Sequence, residues 1–335
     1  MRKAKRSMGK SRKPAGWFSE AGFTLIEVMS AMVILAIAMT GAYATFTFQH
    51  MSFTVQNRVA EAQQNLRTVL EIMGRDIRLA GYGIPASVNL PPTLVIPGGD
   101  NTIRNIRSVN SAVGPDEIYI LYMYDMDSTA PLPTATAAMG GVAPTLTVDT
   151  IAGFSNGDLV LIRNDVNADM FEVTQTPAGG TLNFDVGGSA NLYNSLTAHP
   201  LFPGYAAGDI VAKARFIRYF VGTDPGTGRP ALMVDRNTGP GQGQPLADDI
   251  EDMQIQYGLD TDNDYVVETW VDAPALTQVP QIKQIGLFLS ARTRMIERGW
   301  QDAGRPALAD RAAGAPDAFR RRIIDNVVID LRNPG

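Results

Sequence analysis

The sequence predicts an α+β protein in which one long N-terminal helix, membrane-spanning in its first half and amphipathic in its second, packs on a large β-rich C-terminal domain. Three observations carry this expectation. A run without Asp, Glu, Lys or Arg extends from Val28 to Asn57 behind a strongly basic segment. Past that run, apolar residues recur at spacings of mostly four and three through Ile77. From about Pro85 the pattern breaks into short apolar or alternating runs separated by Gly, Pro, Asn and Asp. The resulting boundaries are a basic leader over 1–22, a membrane half over 23–54, an amphipathic half over 55–83 and a β-rich domain over 84–335.

The basic segment holds Arg2, Lys3, Lys5, Arg6, Lys10, Arg12 and Lys13 against the single acid Glu20. Without it, 22 basic and 33 acidic residues remain, a net charge of −11. That balance disfavours a general nucleic-acid binder, because such proteins neutralise phosphates with a basic excess. A content of 45% hydrophobic and 19% charged residues is that of a globular chain with a real core. The absence of cysteine excludes a disulfide framework, a thiolate metal site and a cysteine nucleophile.

As a helix, the stretch from Val28 to Gln49 rises about 33 Å, enough to cross the hydrocarbon core of a bilayer. The positive charges before it place that end in the cytoplasm and the bulk of the chain outside. An ordinary signal anchor, a secretory signal peptide and a segment cleaved ahead of its apolar run all begin this way. Glu27 separates them. A carboxylate within a membrane helix costs roughly 2.5–3.5 kcal/mol on insertion scales, and a plain anchor has no use for one. If the chain is cut after Gly22, Glu27 stands one helical turn from a new α-amino group at Phe23. In a filament of packed helices, that amine on one subunit can pair with the carboxylate of a neighbour.

The run Ala21-Gly22-Phe23-Thr24-Leu25-Ile26-Glu27-Val28 resembles the processing motif of type IV pilins and type II secretion pseudopilins. The resemblance implies a pilin-like fold, cleavage between Gly22 and Phe23 by a membrane aspartyl prepilin peptidase, and N-methylation of Phe23. It also implies Glu27 as the assembly residue.

The amphipathic half carries Val55, Val59, Ala62, Leu66, Val69, Met73 and Ile77 on one face. Gln56, Arg58, Glu61, Gln64, Arg67, Glu71, Arg75 and Arg78 lie on the other, with Glu71 and Arg75 in the favourable i, i+4 order. Gly81, Gly83 and Pro85 supply the stop. Expected strands are Glu117–Tyr124, Leu146–Thr150, Asp158–Arg163, Met170–Thr174, Asp209–Phe220, Ala231–Asp235, Met253–Leu259, Ile282–Ala291 and Ile323–Leu331. Pro131–Pro144 and Gly222–Pro245 read as surface loops. Gly157-Asp158-Leu159-Val160 and Gly208-Asp209-Ile210-Val211 form a pair of matching turn-to-strand starts.

Further runs narrow the resemblance: Met73 to Gly83, Asp249 to Gly258 and Leu331-Arg332-Asn333 look like the larger minor pilins of the PilW kind, relatives of the type II secretion pseudopilin GspJ. This implies a non-enzymatic structural and assembly component of a type IV pilus, placed in the initiating or tip complex. The implied partners are the prepilin peptidase, the major pilin and other minor pilins, the inner-membrane assembly platform, and membrane lipid before assembly. The implied location is the inner membrane with the C-terminal domain in the periplasm, then the pilus or cell surface. A type II secretion pseudopilin and a pilus-associated adhesin or DNA-uptake receptor are the alternatives.

Gly153-Phe154-Ser155-Asn156-Gly157 satisfies G-x-S-x-G, but a strand pattern follows the serine where a hydrolase needs a helix. His50 and His199 supply no plausible triad partner and cannot make a zinc site unaided. One metal candidate remains. Asp260, Asp262, Asp264 and Glu268 stand at positions 1, 3, 5 and 9 of a calcium loop, with the Val266 carbonyl at position 7. Tyr265 occupies the position of the usual Gly, and Val271 that of the bidentate acid. A solvated acidic hairpin turn is the competing reading, so calcium is an expectation and no cofactor is required. Arg292, Arg294, Arg298 and Arg320–Arg322 form two basic patches, readable as a nucleic-acid surface or as solvated and salt-bridged faces.

Overall fold

The computed structural model describes residues 22–85, 87–89, 102–103, 106–124, 131–138, 145–184, 194, 205–236, 243–296 and 299–332. The leader apart from Gly22 lies outside them, as do most of the segment 90–105, the end of the Pro131–Pro144 stretch and most of 185–204. The chain forms two compact units, Met1–Val55 and Gln56–Gly335.

A single helix, α1, runs from Leu25 to Leu79. In the first unit its apolar residues are exposed: Met32, Val33, Ile34, Leu35, Ile37 and Met39 are all 59–69% accessible. Among the described residues it is the one helix long and apolar enough to cross a membrane. In the second unit α1 buries Ala62, Leu66, Val69, Met73 and Ile77, the face set by the four-and-three spacing. Gly74 and Asp76 are buried with them. The helix ends where Gly81 adopts a φ of 78° and donates its N–H to the Leu121 carbonyl at 2.9 Å. A residue with a Cβ is strained in that left-handed conformation, so the glycine permits the exit and the bond secures it.

The rest of the second unit is β-structure. A nine-stranded sheet is organised around the long strand β9 (Ile210–Thr223). One edge of β9 pairs antiparallel with β4 (Glu117–Tyr124), which carries β3 (Ile106–Val109). Its other edge is shared end to end by β6 (Leu159–Arg163) and β10 (Pro230–Arg236). β6 continues to β7 (Asn167–Glu172), β1 (Ser87–Asn89) and β2 (Thr102–Ile103), whereas β10 pairs with β11 (Gln244–Asp248). The pairing of β1 with β7 is parallel. A four-stranded antiparallel sheet follows in the order β13 (Thr269–Val271), β12 (Ile250–Leu259), β14 (Ile282–Arg292), β15 (Arg321–Asp330). A small two-stranded antiparallel pair joins β5 (Thr145–Thr147) and β8 (Thr181–Asn183).

Both larger sheets press on α1. The largest core cluster joins Leu66, Val69, Met73 and Ile77 to Ile118, Ile120, Ile217 and Leu232 of one sheet and to Met253, Ile255, Ile285 and Leu287 of the other. Each fully buried side chain of this size contributes roughly 1.5–3 kcal/mol relative to exposure. The alternation in β12 is therefore informative: Met253, Ile255, Tyr257 and Leu259 join the helix-side core, whereas Asp252 and Gln254 are buried on the opposite face.

Each of the nine expected strands overlaps an observed one with its ends shifted by a few residues, the shortest match being the three-residue β5. The Gly222–Pro245 stretch is not simply a loop: β9 and β10 form a hairpin through it, and β11 begins at Gln244. The turn is built by Asp224, which accepts from Gly226 N at 2.9 Å and Thr227 Oγ1 at 2.6 Å. The twin turn-to-strand starts are alike in detail. Asp158 accepts from Ser155 N at 2.6 Å and Asp209 from Ala206 N at 2.7 Å, with Gly157 and Gly208 at φ 88° and 100°. Ser155 is thus part of an Asp-closed turn leading into β6.

Candidate functional site

The first candidate site is the start of α1. Gly22, Phe23 and Glu27 are exposed, and a Cβ added at Gly22 would meet nothing within 4 Å. Phe23 is 83% accessible. Thr24 sits just before the helix: its carbonyl accepts from Glu27 N and Val28 N, and its Oγ1 accepts from Glu27 N at 3.3 Å. Thr24 Oγ1 also donates to Glu27 Oε2 at 3.4 Å. Thr24-x-x-Glu27 has the spacing of a capping box, in which a threonine and a glutamate satisfy the open donors of a helix start. That spacing was visible in the sequence. Its role is local: it starts the helix two residues past Phe23 and, among the described residues, leaves the Glu27 carboxylate with no buried partner.

The second candidate is the β12–β13 turn. Leu259 pairs with Thr269, so residues 260–268 form the connection of an antiparallel hairpin. Asp260 is buried, whereas Asp262, Asp264 and Glu268 are exposed, and one ligand oxygen from each can be chosen so that all lie within 4.8 Å of one another. Such spacing matches oxygens about 2.3–2.6 Å from a common calcium ion. The carboxylates also fold the loop. Asp260 accepts from Asp264 N and Tyr265 N, Asp264 from Val266 N at 2.8 Å, and Glu268 from Thr261 N at 2.8 Å. The Asp262 carboxyl is pushed up, first by desolvation within the loop and then by the charges of Asp264, Glu268 and Asp260. Tyr265 has a φ of 71°, the left-handed backbone that glycine supplies in a calcium loop. At position 12 Val271 belongs to β13, and the carboxylate of Asp272 accepts from Gln256 Nε2 at 2.9 Å. The residues therefore fit a weak oxygen site lacking the usual bidentate acid.

The expected basic patches are largely engaged. Arg321 bonds Glu251 at 2.5 Å and also pairs with Asp317. The Arg292 guanidinium lies 4.2 Å from the Phe319 ring centroid, and that of Arg320 lies 3.9 Å from the Trp300 centroid. Arg294 is exposed, and Arg298 is outside the described residues.

Buried carboxylates escaped the sequence reading. Asp76 on α1 accepts from Tyr219 at 2.6 Å and Tyr122 at 3.3 Å, tying the helix to β9 and β4. Burial and the adjacent carboxylate push both phenols up. Asp252 pairs with Arg305 at 2.8 Å and with Arg311, pinning the irregular 299–320 segment over β12. Their signal was a charge interrupting an apolar stripe, at Asp76, and an acid in a strand-forming run, at Asp252.

The exposed apolar helix behind a Gly-Phe junction and the β-rich unit after it agree with the pilin-like architecture expected from the sequence. In agreement, residues 17–43 match the model of the prokaryotic N-terminal methylation motif. Residues 218–333, just over a third of the chain, match the family model described as type IV pilus-assembly protein W. Among solved structures, a type IV-like pilin from Thermus thermophilus is similar, at 12% identity and a TM-score of 0.38, over 81% of this chain and 95% of that one. No curated protein matches in sequence. The motif and family matches support a pilin-type structural role, and the methylation motif with the apolar helix points to prepilin-peptidase processing and membrane anchoring.

Proposed function

We propose that this chain is a non-enzymatic minor pilin, cut between Gly22 and Phe23, methylated at Phe23, and co-assembled with the major pilin and other minor pilins through Glu27. The observation that carries this is the accessible Gly22-Phe23 junction ahead of an apolar helical run, with the exposed Glu27 carboxylate at its start and no further charge up to Asn57. The C-terminal unit faces the periplasm before assembly, and the inner-membrane platform feeds the chain into the initiating or tip complex. Its size supports that position, because so large a domain is awkward to repeat along a closely packed shaft. Mass spectrometry of the mature N-terminus from the native host should find methyl-Phe23. An intact leader would sink the proposal. Deleting the gene should reduce the number of pili; unchanged pili that fail to adhere or take up DNA would favour a receptor, and lost secretion would favour a type II pseudopilin.

We further propose that the 260–268 loop binds calcium weakly, in the 10⁻⁴–10⁻³ M class of extracellular modules. The convergence of four carboxylate oxygens favours it. Millimolar calcium, but not magnesium, should raise the melting temperature of the intact chain, because a ligand that binds the folded state alone stabilises it. Asp262→Asn with Asp264→Asn should abolish the rise. No calcium effect on the wild type would leave a solvated acidic turn.

A further inference from the structure

In an acidic chain, one part of the second unit combines apolar and basic groups. The segment after β14 leaves Met295 and Ile296 58% and 60% accessible, and Trp300 38% accessible. Arg58 reaches Met295, its Nη2 lying 3.8 Å from the Met295 Sδ. Arg320 stacks on Trp300, and Arg294 is exposed. Thr293 is buried, donates from its Oγ1 to the Met295 carbonyl at 3.2 Å, and accepts there from Arg320 N at 3.2 Å. These bonds hold the backbone from which Met295 projects.

The position of Arg58 in the chain indicates what they face. Between Glu27 and Arg58 no charged residue occurs. Those thirty residues span about 45 Å as a helix, the thickness of a bilayer including its headgroups. Arg58 is therefore the first charge beyond the membrane, at headgroup level. A tryptophan with apolar neighbours and arginines is the composition that settles at that level, the ring at the interface and the guanidinium groups on lipid phosphates.

We propose that Met295, Ile296 and Trp300, flanked by Arg58, Arg294 and Arg320, form a membrane-contact surface that rests on the anionic outer face of the bilayer before assembly. The inference rests on insertion of the 23–54 segment. It would hold the domain down on the lipid until the helix is extracted into the filament.

The absence of cysteine allows a direct test with single labels on the full chain in liposomes. Spin labels at Ile296→Cys, Val33→Cys and Tyr265→Cys are compared by collision with oxygen and with a water-soluble nickel chelate. In vesicles containing phosphatidylglycerol, the label at 296 should be several-fold less accessible to nickel than the label at 265. Phosphatidylcholine alone, or Arg58→Gln with Arg294→Gln, should remove most of the difference. A buried label at 33 with a fully aqueous label at 296 overturns the inference and leaves the anchor intact; an aqueous label at 33 overturns both. Protection at 296 that appears only at high protein-to-lipid ratio would assign the surface to a second copy, and so also overturns the proposal.

Discussion

Glu27 and Asp76 are carboxylates on the same helix, each interrupting an apolar pattern, yet they differ in how their charge is satisfied. Glu27 is exposed and, among the described residues, its side chain bonds Thr24, one turn back. Asp76 is buried and receives hydrogen bonds from Tyr122 and Tyr219, with Arg75 Nε 3.5 Å away. The apolar residues around them differ in the same way, exposed near Glu27 and packed against two sheets near Asp76. A buried charge needs partners inside the fold, as Asp76 has; at the exposed Glu27 we propose that a second subunit supplies the partner.

The sharpest way to break this comparison is to remove equal volumes from the two halves. Met73 is fully buried and Met32 is 64% accessible. Met73→Ala should cost about 2–5 kcal/mol of domain stability through lost transfer energy and a cavity. Met32→Ala should change it by less than about 0.5 kcal/mol. Denaturant unfolding of the full chain in detergent measures both, and equal effects would show that the halves do not differ as described.

Exchanging the two carboxylates for alanine gives the next largest contrast. Asp76→Ala leaves two buried phenol hydroxyls without their acceptor, at roughly 2–4 kcal/mol for the pair. Glu27→Ala should leave the domain's unfolding midpoint unchanged and instead reduce incorporation into pili. A Glu27→Ala chain that unfolds early would mean that the capping contact with Thr24 is structural for the domain.

The halves were legible in the sequence for one physical reason: helical periodicity and charge exclusion operate over dozens of residues and survive without knowledge of the sheets. Of the stripe Val55, Val59, Ala62, Leu66, Val69, Met73 and Ile77 placed on one face by spacing alone, the structure buries the last five and leaves Val55 and Val59 half-buried. The long strands were legible from apolar density. β1, β2, β3, β8, β11 and β13 were not, because two to five residues of mixed character become strands only through their neighbours' ladders. The Asp76 and Asp252 networks were hidden for a related reason: Asp76 bonds Tyr219 from 143 positions away, and Asp252 bonds Arg311 from 59. The processing motif was fully legible because its order along the chain is the signal.

Asp116 extends the comparison to a buried acid with no cationic partner among the described residues. It accepts from Ser111 N at 2.8 Å and Ile255 N at 2.9 Å. Burial nevertheless pushes its carboxyl up to about 7, helped by the like charges of Asp310 and Asp252. Because the folded value exceeds the ordinary 3.8, its stabilising contribution is complete below that value and is lost as pH rises toward 7. The domain should therefore lose about 2 kcal/mol between pH 5 and pH 8 on account of this group. Asp116→Asn, uncharged throughout, should flatten that part of the profile. A wild-type profile that stays level, or rises to the same extent in both proteins, would assign the pH response elsewhere.

The smallest effect is expected in the acidic loop, where exposure has a backbone cause. Tyr265 is 79% accessible and held at a φ of 71°; Asn263 is held at 64° two residues earlier. Asparagine tolerates that region, whereas a bulky aromatic residue costs roughly 1–2 kcal/mol there. Replacing Tyr265 by glycine removes the strain but adds unfolded-state entropy worth roughly 0.5–1 kcal/mol and loses a distant contact with Lys283. The net gain for Tyr265→Gly should be about 0.5 kcal/mol, and for Asn263→Gly close to zero. If the loop is a calcium site, the same Tyr265→Gly change should also lower the calcium concentration needed to reach half of the thermal shift, because a glycine at that position presents the carboxylates without strain. A solvated turn would show the stability gain without the calcium response, so one variant separates backbone relief from metal binding.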